Sequence, residues 1–325
     1  MTNLLRIPYS LIRPLYERTQ LHRAVIEEVD DSRLKEAYST CREITRHHAK
    51  TFYMATRFLP YKKQRGIFAI YALCRYVDDM VDEAEDLIAK EKIAYEDIKV
   101  KLDRWKQKLE DTYNGYKYDD EILIAFADVL RRYDIPMSLP FELLDGVSMD
   151  LYKNRYRTFE ELYDYSYKVA SVVGLMTSEV FGYNDEKALD YAVDLGIAMQ
   201  LTNILRDVGE DLQQNRIYIP QKDLTRFNIS EEELFAHELS DKFKAMMEFQ
   251  IHRARSFYRR AEKGITMLDD DSRLPVYLAH FNYGGILGKI EKNDFDVFSN
   301  RAYLSSTEKF TILPRLLYRT KLAAS

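Results

Sequence analysis

Helix-breaking residues are scarce in this chain. It has 11 glycines and 8 prolines in 325 residues, about half the usual share of roughly 7% and 5%. Tight-turn β architecture needs both in number, so long helices are the economical expectation. Only two cysteines are present, Cys41 and Cys74. They form no CxxC pair and no zinc spacing, which excludes a disulfide scaffold and a zinc module. Both read as core thiols in a reducing cytosol. No run of about 18 uncharged apolar residues occurs, so no transmembrane helix is expected. The N-terminus has no continuous apolar core of a signal peptide, because Arg6, Pro8, Arg13 and Pro14 interrupt it. The net charge of −5 does not favour a nucleic-acid partner. Neither phosphate-cradling glycine loop, GxxxxGK[ST] or GxGxxG, is present.

What remains is 46% hydrophobic and 31% charged, enough for a sizeable core. Hydrophobic spacing predicts helices over 34–48, from Pro60 through Leu87, over 94–112, 120–133 and 139–151, and then over two long runs, 158–181 and 186–211. Residues 215–220 read as extended. Helix resumes after Ser230, whose partner Glu233 completes a capping box, and continues to about Met267; a last helix covers 274–292. With no internal repeat and no low-complexity linker, the reading is one all-α domain over 31–310. An N-terminal adapter, 1–30, precedes it, and a basic-apolar tail, 311–325, follows.

Two of these helices change character along their length. Side chains four apart share a helix face, so Ile70, Cys74, Asp78 and Asp82 form one stripe, apolar at its start and acidic at its end. Leu195, Met199, Asn203, Asp207 and Asp211 form another, flanked by Gln200 and Glu210. Arg75 precedes Asp78 and Asp79 by one turn. A single aspartate pair at this spacing commonly belongs to a solvated face. Here, however, like charges repel at i, i+4, and acids toward a helix C-terminus oppose its dipole. Two stripes with the same penalty call for a cation. Mg²⁺ fits, since it joins carboxylates to substrate phosphates while keeping waters. The implied site has metal and diphosphate at the mouth and hydrocarbon in the depth. An allylic cation there would be stabilised by metal-held diphosphate and by aromatic faces.

At these residues the chain resembles the squalene/phytoene synthase family. The resemblance rests on His48-Ala-Lys-Thr-Phe52, on Ala69-Ile-Tyr-Ala-Leu-Cys-Arg75 leading into Asp78-Asp-Met-Val-Asp82, on Tyr165-Ser-Tyr-Lys-Val-Ala-Ser-Val-Val-Gly174, and on Gln200 through Asp211 followed by Asn215-Arg-Ile-Tyr-Ile-Pro220. It spans about residues 38–310. It implies a helical prenyl-synthase fold with a central cavity, and a two-step head-to-head coupling of prenyl diphosphates through a cyclopropylcarbinyl diphosphate. By the resemblance, Asp78, Asp82, Asn203, Asp207 and Asp211 are the Mg²⁺ ligands, with Glu210 a further candidate, Asp79 behind them and Mn²⁺ a possible substitute. His48, Lys50, Arg75 and Arg206 contact diphosphate, and Arg216 and Tyr218 close the mouth. Phe52, Tyr165, Gln200 and Tyr283 stand near the reacting carbons. Gly174 permits a close approach of helix or substrate. Plainer roles stand beside these: ion pairing for Arg75, a solvated helix face for Lys50 and Arg206, packing for His48.

The small Thr56, one turn beyond Phe52, favours C20 substrates and hence the phytoene branch. The alternative is a squalene or dehydrosqualene synthase acting on farnesyl diphosphate, and NADPH enters only with the squalene reaction. A third reading, a non-catalytic helical scaffold, would be expected to have lost the acids that are intact here. The protein is expected in the cytoplasm. Its basic-apolar ends, Leu4–Tyr16 and Phe310–Leu322, either pack on the helical body or touch an anionic membrane surface.

Overall fold

The computed structural model describes residues 25–89, 95–311 and 316. Among these there is no β-strand; the sole ladder contacts are two isolated bridges, Arg155 with Ile217 and Tyr183 with Leu268. The helices are α1 (Ser32–His48), α2 (Lys50–Thr56), α3 (Tyr61–Ala89), α4 (Tyr95–Tyr113), α5 (Glu121–Leu130) and α6 (Ser138–Ser148). They are followed by α7 (Phe159–Ser166), α8 (Val172–Phe181), α9 (Lys187–Gln213), α10 (Gln221–Arg226), α11 (Glu231–Phe235), α12 (Asp241–Ile265), α13 (Asp270–Lys292) and α14 (Ser306–Thr311).

Side-chain caps set several starts. Asp31 accepts from the Leu34 amide at 2.7 Å, Asp120 from Ile122 and Leu123, and Ser230 with Glu233 forms the expected capping box. The helix expected from Ser230 to Met267 is in fact two, α11 and α12. His237 adopts a left-handed φ of 55°, and Ser240 caps the new helix by accepting from the Phe243 amide. The run 158–181 is likewise interrupted. Tyr167–Ser171 is a π-turn between α7 and α8. A plain α-helix drifts about 40° for each step of four residues. The wider π-turn takes up much of that drift, so Tyr165, Val169, Val173, Thr177 and Phe181 all reach one cavity wall. The segment 215–220, expected to be extended, makes a single bridge, with Ile217 donating to the Asn154 carbonyl at 3.0 Å.

From Ile67 to Leu73, α3 is apolar nearly all round, with Ile67, Phe68, Ala69, Ile70, Ala72 and Leu73 essentially inaccessible. That is the pattern of a helix enclosed by others, here α1, α5, α6 and α8. Each large side chain so buried contributes about 1.5–3 kcal/mol. A second core gathers around α9, α12 and the later half of α13. One close approach there is glycine-permitted: a Cβ on Gly264 of α12 would stand 2.3 Å from the Tyr191 Cβ of α9. Between the two cores lies a cavity. Of the terminal segments, Val25, Ile26 and Leu316 are buried against the first core, and Val29 packs on it; residues 1–24, 312–315 and 317–325 lie outside the described residues. No helix among the described residues is long and apolar enough to cross a membrane.

Candidate active site

The cavity has a volume of about 480 Å³. Helices α2, α3, α6, α7, α8, α9, α12 and α13 and the π-turn all contribute to its wall. Its depth is apolar, with Leu59, Phe181, Leu195, Ile265, Leu268 and Val276 among the lining residues. Its polar residues include Arg75 and Asp78 of α3 and Gln200 and Asn203 of α9. The second stripe therefore runs along the wall from apolar Leu195 and Met199 into Asn203, while of the first stripe only Cys74 and Asp78 reach the wall. Phe52, Tyr165 and Tyr283 also line it, as does Thr56, whose hydroxyl donates to the Tyr53 carbonyl at 2.8 Å. Gly174 lies on the wall against Ala192 of α9. Cys74 is a wall residue as well as a core thiol, and burial pushes it up to about 12, so it stays protonated.

Arginines answer part of the acid charge. Arg75 donates to Asp78 at 2.9 Å and also pairs with Asp79. Asp207 accepts from Arg206 at 2.8 Å and from Arg301 at 2.9 Å, and Arg301 reaches the exposed Glu210 at 3.4 Å. What is left is a surplus of negative charge. Asp78 is pushed up to about 6, first by desolvation and then by the neighbouring Asp82 charge. Asp211 is pushed up to about 7 by desolvation and by Asp207, with Arg216 only partly offsetting. A divalent cation would relieve both pairs. Among the described residues no three carboxylate, imidazole or thiol side chains converge closely enough to hold an ion alone. This donor set suits a hard ion that completes its shell with water and substrate phosphate.

Not every expected residue reaches the cavity. Asp82, Asp207, Asp211, Glu210, His48, Lys50, Arg216 and Tyr218 are absent from its lining. His48 and Lys50 are exposed; His48 sits edge-on to His47 and feels the Arg75 charge. Arg206 instead lines a second, smaller cavity of about 280 Å³ with Arg301, Lys309, Thr51 and Tyr303, and Tyr283 belongs to both cavities. Arg301 and Lys309 escaped sequence reasoning because nothing in their local pattern ties them to residues nearly a hundred or more positions earlier.

Asp150 also escaped it. It lines the main cavity and accepts hydrogen bonds from Tyr165 and Tyr218, each at 2.9 Å. Desolvation raises its pKa, and Arg216 and the two phenols partly offset that rise. The signal was present: Leu143, Val147 and Asp150 form a third stripe that turns from apolar to acidic, and all three line the cavity.

An all-helical body around an apolar cavity with carboxylates at one end is the isoprenoid-synthase architecture. The family model for squalene/phytoene synthase matches residues 45–308, and the chain belongs to that family. It is 41% identical over 298 residues to the 15-cis-phytoene synthase of Synechococcus elongatus, covering 88% of this chain and 94% of that one. It is 41% identical over 289 residues to the chloroplastic phytoene synthase 2 of Solanum lycopersicum, covering 86% and 90%. Among solved structures, a dehydrosqualene synthase in complex with ligand superposes with a TM-score of 0.80 at 28% identity, over 89% of this chain and 98% of that one. A squalene synthase from Alicyclobacillus acidocaldarius shares the fold with a TM-score of 0.75 at 23% identity, over 84% and 99%.

Proposed function

We propose that this protein is a phytoene synthase. It joins two geranylgeranyl diphosphates head to head through a cyclopropylcarbinyl diphosphate, and the last cation is quenched by proton loss without a redox cofactor. The observation that carries the reading is the shared cavity wall, where Arg75 and Asp78 on one helix and Gln200 and Asn203 on another meet a single apolar chamber. Near-full-length identity to phytoene synthases supports the choice of branch, and so does the small Thr56 on the wall.

Asp78, Asp82, Asn203, Asp207 and Asp211, with Glu210 a further ligand candidate and Asp79 behind them, would hold Mg²⁺ or Mn²⁺. When bound, the ion supplies Lewis-acid stabilisation of the leaving diphosphate. The chain's own groups do the rest. Arg75 and Arg206 exchange their aspartate partners for phosphate oxygens, with His48 and Lys50 at the rim. Val173, Leu195 and Met199 exclude water, so that a cation in the chamber meets few nucleophiles. The Phe52 and Tyr71 rings, 5.8 Å apart, both line the chamber and would supply π-electron density to it. The hydrocarbon product partitions into bilayers, so peripheral contact with an anionic membrane surface belongs to this reading.

Purified protein incubated with geranylgeranyl diphosphate and Mg²⁺ is expected to release phytoene with or without NADPH, and Asp78→Ala to abolish turnover. A product formed only from farnesyl diphosphate would place the chain in the squalene or dehydrosqualene branch instead. Undiminished activity of Asp78→Ala would remove the metal role.

A further inference from the structure

Asp150 sits on the cavity wall at the end of the third apolar-to-acidic stripe, and its two carboxylate oxygens are divided between two tyrosines. Tyr165 donates to Oδ2 and Tyr218 to Oδ1, each at 2.9 Å, and the two hydroxyl oxygens lie 3.4 Å apart. The rings are held as firmly as the hydroxyls. Tyr156, fully buried, lies 5.3 Å from the Tyr165 ring and 5.6 Å from the Tyr218 ring, and those two rings stack at 5.3 Å. Three separate segments thus meet at one carboxylate: the turn after α6, helix α7, and the segment that follows α9.

A phenol has one hydrogen to donate. Once that hydrogen is committed to Asp150, the oxygen has only lone pairs to present elsewhere. Of the two tyrosines, Tyr165 is the one that lines the cavity. We propose that Asp150 is a positioning residue for the coupling reaction, holding the Tyr165 oxygen as a fixed electron-rich group toward the cationic hydrocarbon. This rests on the head-to-head synthase reading above. A preorganised dipole of this kind stabilises charge as it develops, without reorganising at the moment of reaction.

Asp150→Asn removes the charge and offers the phenols an amide that donates as well as accepts. Tyr165 then turns its hydrogen elsewhere, and the cation loses its counter-field. Water capture competes: the water oxygen bonds to the cationic carbon, a proton goes to solvent, and an alcohol forms in place of the hydrocarbon.

The test compares wild type, Asp150→Asn, Tyr165→Phe and the double variant with geranylgeranyl diphosphate and Mg²⁺. Turnover, KM and the proportions of hydrocarbon, cyclopropyl diphosphate and alcohols are measured. Asp150→Asn is expected to lower kcat about 10–100-fold, with KM changed less than about threefold, and to raise the share of alcohol and cyclopropyl products. In the Tyr165→Phe background the same change should add nothing, and Asp150→Glu should restore part of the normal product ratio. A merely structural role would lower all products together. Wild-type proportions in Asp150→Asn, or multiplying effects in the double variant, would overturn the proposal. If Asp150→Asn fails to fold, Tyr165→Phe with wild-type proportions overturns it as well. A wild-type enzyme that makes no hydrocarbon from geranylgeranyl or farnesyl diphosphate overturns the synthase reading together with it.

Discussion

Thr56 offers the cavity a methyl group, its hydroxyl being turned back to the Tyr53 carbonyl, and it is 1% exposed. A ring at that position has nowhere to go but into the chamber. Thr56→Phe is therefore expected to raise the preference for the C15 over the C20 diphosphate by about tenfold or more. Competition between farnesyl and geranylgeranyl diphosphates, with quantified products, measures it. An unchanged ratio would mean that Thr56 does not limit the depth. Asp78 and Asn203 were legible because helical spacing puts each on a face with its neighbours, and Thr56 because it lies one turn beyond Phe52, a cavity position that the family resemblance implies. Asp150 was less visible, since its stripe ends in one acid, without the repeated charge that marked the other two. The second, distant partner of Asp207 was not legible at all. Arg301 comes from 94 positions downstream, and no local pattern encodes such a meeting.

Helix α9 approaches the π-turn across Gly196. A Cβ there would stand 2.6 Å from the Ser171 amide nitrogen and 2.5 Å from its Cα. These are backbone atoms, which cannot yield as a side-chain tip can. Gly196→Ala should destabilise the protein by about 1–3 kcal/mol and deform the cavity wall that Gly196 helps to form. Gly288 provides the contrast, since a Cβ there meets nothing within 4 Å. Within α13, Gly288→Ala should leave stability unchanged or raise it by up to about 1 kcal/mol. Thermal melts of the two variants beside wild type check the pair; equal melting temperatures for both would show that α9 and the π-turn separate at little cost. Helix positions were readable from periodicity, and most capped starts from Asp, Thr or Ser. The π-turn was not readable, because a residue inserted into an apolar run leaves the composition of that run unchanged.

Acidic surplus around the cavity has a consequence for the whole molecule. Asp78 at about 6 and Asp211 at about 7 both lie above the ordinary 3.8. Across that interval the folded chain binds more protons than the unfolded chain, so stability falls as pH rises. The contribution is full below about 4 and is lost as pH passes through 6 and 7. His48, lowered by desolvation and by Arg75, pulls weakly the other way. Chelator-treated protein should therefore melt at a higher temperature at pH 6 than at pH 8. Mg²⁺ with inorganic diphosphate should raise the melting temperature more at pH 8, where the carboxylates are already free of protons. A melting temperature that is flat or falls between pH 8 and pH 6 would show that the acids are not strained in the metal-free state.

By itself the sequence determined the helical class, the two stripes and the oxygen-bearing side chains at their ends, because each depends on neighbours three or four positions away. Tertiary structure decided the rest: which of those acids face the chamber, which arginines neutralise them, and that a further carboxylate, Asp150, stands with two tyrosines at the chamber wall. It also decided that Leu316, in a tail that reads as basic and apolar, is buried in the first core. Side chains brought together from distant segments meet only when the helices pack, and packing depends on shape summed over the whole chain, which no local spacing contains.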